Sequence, residues 1–434
     1  MNSFFSKCFI RFGGWNALLV ALMVVLLPLP LRAQETVDDK DLEPADTLAL
    51  DTLSVDTLDT DTLRLPWPEA LRAGIDRLLG HPMFETSQVG IMVWDLTADS
   101  CIYRYRERQL MRPASTMKLV TAITALDKLG GSYQFKTQLK YTGTIEHGVL
   151  RGDVYCIGGM DPRFNQDDLT AFASSLKEMG VDSIQGCIYA DRSMKDADLL
   201  GEGWCWDDDN PVLSPLVFSR KDIFMDRFLG KLREVGIVYT GFGALEKTCP
   251  PSAFSVCTRF HTMDQILHKM MKESDNLYAE CMYYQIASST GNRPASAKSA
   301  RQVERQLIRK TGLDPALYKL ADGSGLSLYN YLTAELEVRL LRYAYQNENI
   351  FPHLKPSLPV AGVDGTLKKR MRNGFAHGNV KAKTGTLTGI ISLAGYCTAA
   401  NGHELCFSII NNGILYAGNA RSFADKVCNV MCRP

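Results

Sequence analysis

The sequence predicts an α/β (α+β) protein: one sheet assembled from both ends of the chain and flanked by helices, with a smaller α/β unit inserted in the middle. Three observations point there. Residues 89–96 and 101–105 read as strands and are followed by an apolar helix at 115–129. The chain closes with strands at 380–384, 389–398 and 404–411 and a helix at 418–431. Between these blocks the pattern changes to short strands mixed with amphipathic helices, as an insertion would. The expected division is a discontinuous catalytic unit of 66–137 and 258–434 around an inserted domain of 138–257.

The residues before 66 stand outside this body. Lys7 and Arg11 precede an unbroken apolar run of 11 residues at 17–27; Pro28 and Pro30 end it, and Ala33 offers a small residue for cleavage. Residues 1–33 therefore read as a secretory signal whose apolar part is too short to span a bilayer as a stable helix. An uncleaved anchor is the alternative, and membrane attachment is expected only in that form. The expected location is the periplasm or the cell wall. Residues 34–65 repeat Asp-Thr-Leu at 46, 51, 56 and 61 and read as an acidic disordered linker. The formal net charge of zero hides this asymmetry, because residues 64–434 hold 44 basic and 38 acidic side chains. A mildly basic body suits anionic or carboxylate substrates and is too weakly charged to argue for nucleic acid. The oligomeric state is not readable.

Along the body, 69–80 is helix-like ahead of the first two strands. Helix 115–129 stops at Gly130-Gly131, an ordinary C-terminal signal. Strands at 135–141 and 149–157, an amphipathic helix at 167–179 and a strand at 184–190 follow, then a Trp- and Asp-rich segment at 203–210. Helices at 222–235, 263–289, 296–310 and 333–346 lead to the closing strands. Asn401-Gly402 is a strong two-residue hairpin signal. That turn would set Cys397 opposite Cys406 in a non-hydrogen-bonded pair, suited to a cross-strand disulfide or to two buried apolar side chains. Cys249/Cys257 and Cys428/Cys432 are weaker pairs among the eleven cysteines that follow the signal. No Cys/His cluster has zinc spacing, and neither metal nor cofactor is expected.

Three short motifs carry the chemistry: Ser115-Thr116-Met117-Lys118, Ser274-Asp275-Asn276 and Lys383-Thr384-Gly385. Ser115 opens a helix, near the positive end of its dipole, and Lys118 lies three residues on along the same face. The helix is apolar on most sides, so Lys118 is expected to be buried, and burial makes a lysine a better proton acceptor. Ser274 and Asn276 can act together only where the backbone bends; the alternative is a helix N-cap, which favours the same residues. On a strand, Gly385 would allow a ligand backbone to approach, while Lys383, Thr384 and Thr386 could bind a carboxylate. The N–H groups of Ser115 and Thr386 could converge on an oxyanion. The alternative is a protective lysine on an edge strand. Ser174/Lys177 and Lys310-Thr311-Gly312 repeat two of the patterns and read instead as an exposed helix face and a helix end. No Gly-x-Ser-x-Gly elbow and no phosphate loop occur.

Joined in this order, the motifs resemble those of penicillin-binding enzymes and serine β-lactamases. The flanking segments at 112–119, 158–162, 203–208, 322–327, 363–367 and 381–387 narrow the resemblance. They look like the class C low-molecular-mass penicillin-binding proteins, D-alanyl-D-alanine carboxypeptidases/endopeptidases of the D-Ala-D-Ala carboxypeptidase B type. The resemblance covers about 66–420. It implies a transpeptidase-like domain with a five-stranded antiparallel sheet and a serine carboxypeptidase acting on peptidoglycan stem peptides, with D,D-endopeptidase cleavage also open to it. It also implies that Ser115 attacks the D-Ala-D-Ala carbonyl and is acylated by β-lactams. Lys118 would be the general base, Ser274 the proton relay, Asn276 the group holding Lys118 and the substrate amide, and Lys383 the carboxylate anchor. Asp208, if it faces the cleft, could bind a cationic amine of the stem peptide; a solvated acidic turn is the alternative. A serine β-lactamase and a non-catalytic peptidoglycan-binding relative are the rival functions. The stretch of 159 residues from Ser115 to Ser274 looks short for the family, and Ser219-Arg220-Lys221 departs from its usual small or amide residues.

Overall fold

The computed structural model describes residues 65–206 and 210–433. The expected signal, nearly all of the acidic linker and Asp208 lie outside the described residues. Helix α1 (Glu69–Leu79) leads to strands β1 (Gln88–Asp95) and β2 (Ser100–Tyr105), then to α2 (Met117–Leu129). The middle of the chain holds β3 (Gln134–Tyr141), β4 (Thr144–Glu146), β5 (Val149–Arg151), β6 (Val154–Ile157), α3 (Gln166–Glu178), β7 (Ser183–Ile184) and β8 (Ile188–Asp191). It continues with α4 (Phe224–Glu234), β9 (Val238–Tyr239), β10 (Leu245–Glu246) and β11 (Phe254–Thr262). Five helices follow: α5 (Met263–Lys272), α6 (Asn276–Ser288), α7 (Ala297–Lys310), α8 (Ala334–Tyr345) and α9 (Phe351–Ser357). Strands β12 (Lys381–Leu387), β13 (Ile390–Thr398) and β14 (Glu404–Asn412) and helix α10 (Ala417–Cys432) close the fold.

The main sheet has the order β12-β13-β14-β1-β2 and is antiparallel throughout. It is five-stranded and joins the two ends of the chain, as expected. Both faces are covered, which is why β13 is buried almost end to end. One face packs on α2 and α8 through Met92, Ala394 and Cys406; the other packs on α1 and α10 through Ile91, Leu393 and Phe407.

The inserted part is built differently. A second sheet, β10-β8-β6-β3-β11, and a third, β4-β5-β7-β9, share a line of crossings. Residues 149–157 and 184–190, which read as single strands, each bend at a glycine and serve both sheets. A Cβ on Gly152 would lie 1.8 Å from the carbonyl oxygen of Thr142, one on Gly186 2.0 Å from that of Gly152, and one on Gly241 2.0 Å from that of Gly186. The bends stack backbone on backbone, and only residues without Cβ fit there. The expected boundaries at 137/138 and 257/258 fall inside β3 and β11, which pair with each other from Gln134 to Thr262. Strand β11 and helix α9 carry no clear sequence signal. The expected helix 263–289 is two helices, broken at 273–275.

The hairpin reading is corrected. Ala399 pairs with His403, leaving a loop of three residues in which Gly402 has φ +84°. This is the longer turn with a left-handed glycine, not the two-residue turn. The register places Cys397 opposite Leu405 and Tyr396 opposite Cys406. A shift of one residue puts side chains on opposite faces, so Cys397 lies on the α10 face and Cys406 on the α2 face. Cys397 instead lies beside Cys432, and that neighbour together with burial pushes the Cys397 thiol pKa well above its usual range. Cys249, Cys257, Cys428 and Cys432 are all thiols as well. Peptide mapping of unreduced protein is expected to find no Cys397–Cys406 crosslink; finding one would overturn this register.

Candidate active site

The segment that carries Ser115 is held by the last strands of the chain. Ser115 lies in a single 3-10 turn, Ala114–Thr116, just before α2 rather than inside it. The carbonyl of Pro113 accepts hydrogen bonds from Thr116 Oγ1 at 2.8 Å and from Ser392 Oγ at 2.5 Å. Gly385 sits directly across. A Cβ there would lie 2.0 Å from Ser392 Oγ, 2.7 Å from the Pro113 oxygen and 3.1 Å from the Ser115 nitrogen. The glycine is therefore required by the protein's own backbone, whereas the sequence reading reserved that space for a ligand.

Lys118 is the second residue of α2 and is fully buried. Its Nζ lies 2.9 Å from Ser115 Oγ, 2.7 Å from Asn276 Oδ1 and 2.8 Å from the carbonyl oxygen of Ser324. Two of these partners can only accept. A neutral lysine has two hydrogens and one lone pair; with both hydrogens given to Asn276 and Ser324, the lone pair faces the Ser115 hydroxyl. Burial pushes the Lys118 pKa down to about 8, against the opposing pull of Asp322, Asp275 and Glu280. At pH 7 such a lysine is uncharged in on the order of one molecule in ten, against well under one in a thousand for a free one.

The break between α5 and α6 supplies the second hydroxyl. Ser274 takes the left-handed conformation at φ 60°, and Asp275 caps α6 by accepting from the N–H of Tyr278. The cap and the functional turn expected as alternatives are thus one structure. The twist turns Ser274 toward Lys383, whose Nζ donates to Ser274 Oγ at 2.8 Å and to the Thr384 carbonyl at 2.7 Å. Lys383 is fully buried, and burial together with the charge of Lys118 holds its pKa well below the ordinary lysine range. Thr384 Oγ1 donates to Thr366 Oγ1 at 2.7 Å, and Thr386 is half-buried on the same strand. Arg220 of the insert pairs with Asp275 at 3.1 Å, so the unusual Ser219-Arg220-Lys221 segment touches the second motif.

The loop around Ser324 was missed as a site. Asp322 is buried and accepts from Trp204 Nε1, Ser324 Oγ, Asn330 Nδ2 and the backbone N–H groups of Gly325 and Ser327. These bonds shape the turn that presents the Ser324 carbonyl to Lys118. The clue was Asp322-Gly323-Ser324-Gly325, with Gly325 at φ +80° and no room for a Cβ against the Ala114 carbonyl. The decoys part company with the site: Lys177 is exposed and pairs with Asp182, and Lys310 ends α7 against Asp127.

The chain is similar to known proteins along most of its length. The model of the D-Ala-D-Ala carboxypeptidase 3 (S13) family matches residues 71–219 and 212–430. D-alanyl-D-alanine carboxypeptidase DacB of Haemophilus influenzae is 26% identical over 413 residues, covering 76% of this chain and 86% of that one. D-alanyl-D-alanine carboxypeptidase of Actinomadura sp. is 28% identical over 440 residues, covering 79% and 81%. The crystal structure of penicillin binding protein 4 (dacB) from Haemophilus influenzae, complexed with a β-lactam, superposes with a TM-score of 0.71 at 25% identity, covering 83% of this chain and 100% of that one.

Gly385→Ala is expected to leave a folded protein while cutting Ser115 acylation by a fluorescent penicillin by about a hundredfold, as displaced reactive groups do. Gel labelling alongside circular dichroism checks this.

Proposed function

The chain belongs to the D-Ala-D-Ala carboxypeptidase 3 (S13) family and is a serine-type, penicillin-binding D-Ala-D-Ala carboxypeptidase; on that premise we propose that Ser115 is its nucleophile and Lys118 its general base. The observation that carries this assignment is the commitment of both Lys118 hydrogens to Asn276 and Ser324, which leaves the lone pair for Ser115.

Ser115 Oγ attacks the carbonyl carbon of the D-Ala-D-Ala peptide bond as its proton passes to Lys118. The oxyanion is received by the N–H groups of Ser115 and Thr386. Ser274, hydrogen-bonded to Lys383, gives its proton to the leaving nitrogen and is reprotonated by the Lys118 ammonium; the C–N bond breaks, terminal D-Ala departs and Lys118 is neutral again. Water then attacks the acyl-enzyme as its proton passes to Lys118 and on to Ser115 Oγ, the ester bond breaks and the shortened peptide leaves as its carboxylic acid. Protonated Lys118 has an acceptor for each of its three hydrogens, so the charge formed by the first step is met by partners already in place. Lys383, Thr384 and Thr386 receive the terminal carboxylate. Burial, and next the charge of Lys118, lower the pKa of Lys383, and an arriving carboxylate raises it. Gly385 contributes backbone alone. The substrate is a peptidoglycan stem peptide, β-lactams acylate the same serine, and the site of action is the periplasm or cell wall.

Purified protein and Ser115→Ala are to be incubated with a labelled penicillin and a stem pentapeptide. Durable Ser115-dependent labelling with release of D-Ala is expected. Rapid turnover of the label would favour a β-lactamase, and absence of labelling a non-catalytic relative; a crosslinked dimer substrate reads endopeptidase cleavage. The acylation rate is expected to fall about tenfold per pH unit below about pH 7 and to level off above about 9, because only uncharged Lys118 accepts the proton. A flat profile would remove Lys118 as the base.

A further inference from the structure

Three carboxyl groups lie buried behind the catalytic lysine, and the mechanism above uses none of them. Asp322 shapes its own loop. Glu280 on α6 and Glu304 on α7 are also buried; Glu280 bonds the backbone at Gly323 and Ser324 directly, and Glu304 lies beside the Thr121 hydroxyl that bonds the same segment. Glu280 Oε1 accepts from the N–H of Gly323 at 3.0 Å and from that of Ser324 at 2.8 Å. On the other side, Thr121 Oγ1, one turn along α2 from Lys118, donates to the Gly323 carbonyl at 2.7 Å. Thr121 has a single hydrogen, and that bond uses it. Glu304 Oε1 lies 3.4 Å from the same hydroxyl, and Glu304 Oε2 is buried without a protein partner. Burial, and next the charges of Glu280 and Asp322, push the Glu304 pKa well above the usual carboxylate range. Thr121 thus holds the Gly323 carbonyl, and the N–H groups of Gly323 and Ser324 donate to Glu280. Helix α6 packs flush beneath: a Cβ on Gly323 would lie 2.6 Å from Tyr283 Cβ.

We propose that Glu280 is a positioning residue for the reaction: by accepting from the N–H groups of Gly323 and Ser324 it fixes the turn that presents the Ser324 carbonyl to Lys118 and so aims the lysine lone pair at Ser115. The inference rests on Lys118 being the base. The same carboxyl bears on Lys118 electrostatically. The charged groups facing Glu280 are Lys118 from α2, Asp322 from the loop and Glu304 from α7, with Arg301 and Lys298 of α7 and Glu202, Asp196 and Asp198 around a cavity of about 360 Å³ that Glu280 helps to line. Burial, and next the charge of Asp322, push the Glu280 pKa up to about 8, beside the value of Lys118. Ionised Glu280 favours charged Lys118. Removing the charge while keeping the acceptor oxygen should lower the Lys118 pKa and move the rising limb of the acylation profile to lower pH.

The test measures penicillin acylation by the whole protein from pH 6 to pH 10, with binding and acylation constants separated by saturation, for wild type, Glu280→Gln, Glu280→Ala and Thr121→Val. Glu280→Gln is expected to shift the limb down by about one pH unit. Glu280→Ala is expected to lower the acylation constant by about a hundredfold with binding unchanged, and Thr121→Val by about tenfold. If Glu280→Ala does not fold, by thermal melting, the other two variants decide. An unmoved limb in Glu280→Gln, or acylation within about twofold of wild type in the remaining variants, overturns the proposal. Failure of wild type to acylate at Ser115 would overturn the assignment of the base instead.

Discussion

Everything in the site depends on keeping one lysine dry and fully bonded at once. A buried ammonium without partners is costly, and a buried neutral amine without direction is a poor base. Lys118 meets both demands because three elements far apart in sequence meet at its Nζ: the turn before α2, the first residue of α6 and the 322–327 loop. Each has its own restraint. The Ser115 turn is gripped by β12 and β13, Asn276 is set by the cap of α6, and the Ser324 carbonyl is set by Asp322, Thr121 and Glu280.

Lys383 repeats the principle with a different emphasis. It is as buried as Lys118 but bonds a hydroxyl and a carbonyl on the far side of the cleft. The two lysines repel, which helps to hold down the pKa of Lys383. Their hydroxyl partners, Ser115 and Ser274, are half-buried, one step nearer the solvent than the two fully buried lysines.

Much of this was legible in the sequence. Ser115, Lys118, Ser274, Asn276 and Lys383 carry functional side chains in short motifs, and the two-ended sheet followed from strand patterns at the chain ends. The hidden parts share a physical cause. The Ser324 oxygen belongs to a backbone, and a carbonyl has no residue signature. Glu280 reads as an ordinary helical glutamate until α6 is folded against the loop. The glycine at 385 was visible, but which chain approaches it is a tertiary fact. The Cys397–Cys406 pairing failed on a loop one residue longer than Asn401-Gly402 suggested, since one residue of register exchanges the faces of a strand. The strands at 149–157 and 184–190 were sound as extended chain; their bends depend on stacking with other glycines 30 or more residues away.

The two-ended sheet also sets an order of events. Ser115 and Lys118 come early in the chain, yet the clamp on their turn comes from Gly385 and Ser392, more than 250 residues later. Strand β1 has no main-sheet neighbour beyond β2 until β14 arrives. Contacts of such separation form late and slowly. On the proposed assignment, a growing or partly unfolded chain therefore holds Ser115 without its clamp, which the final fifty residues supply. A truncation near the C-terminus would silence the enzyme even with every motif residue but the last in place.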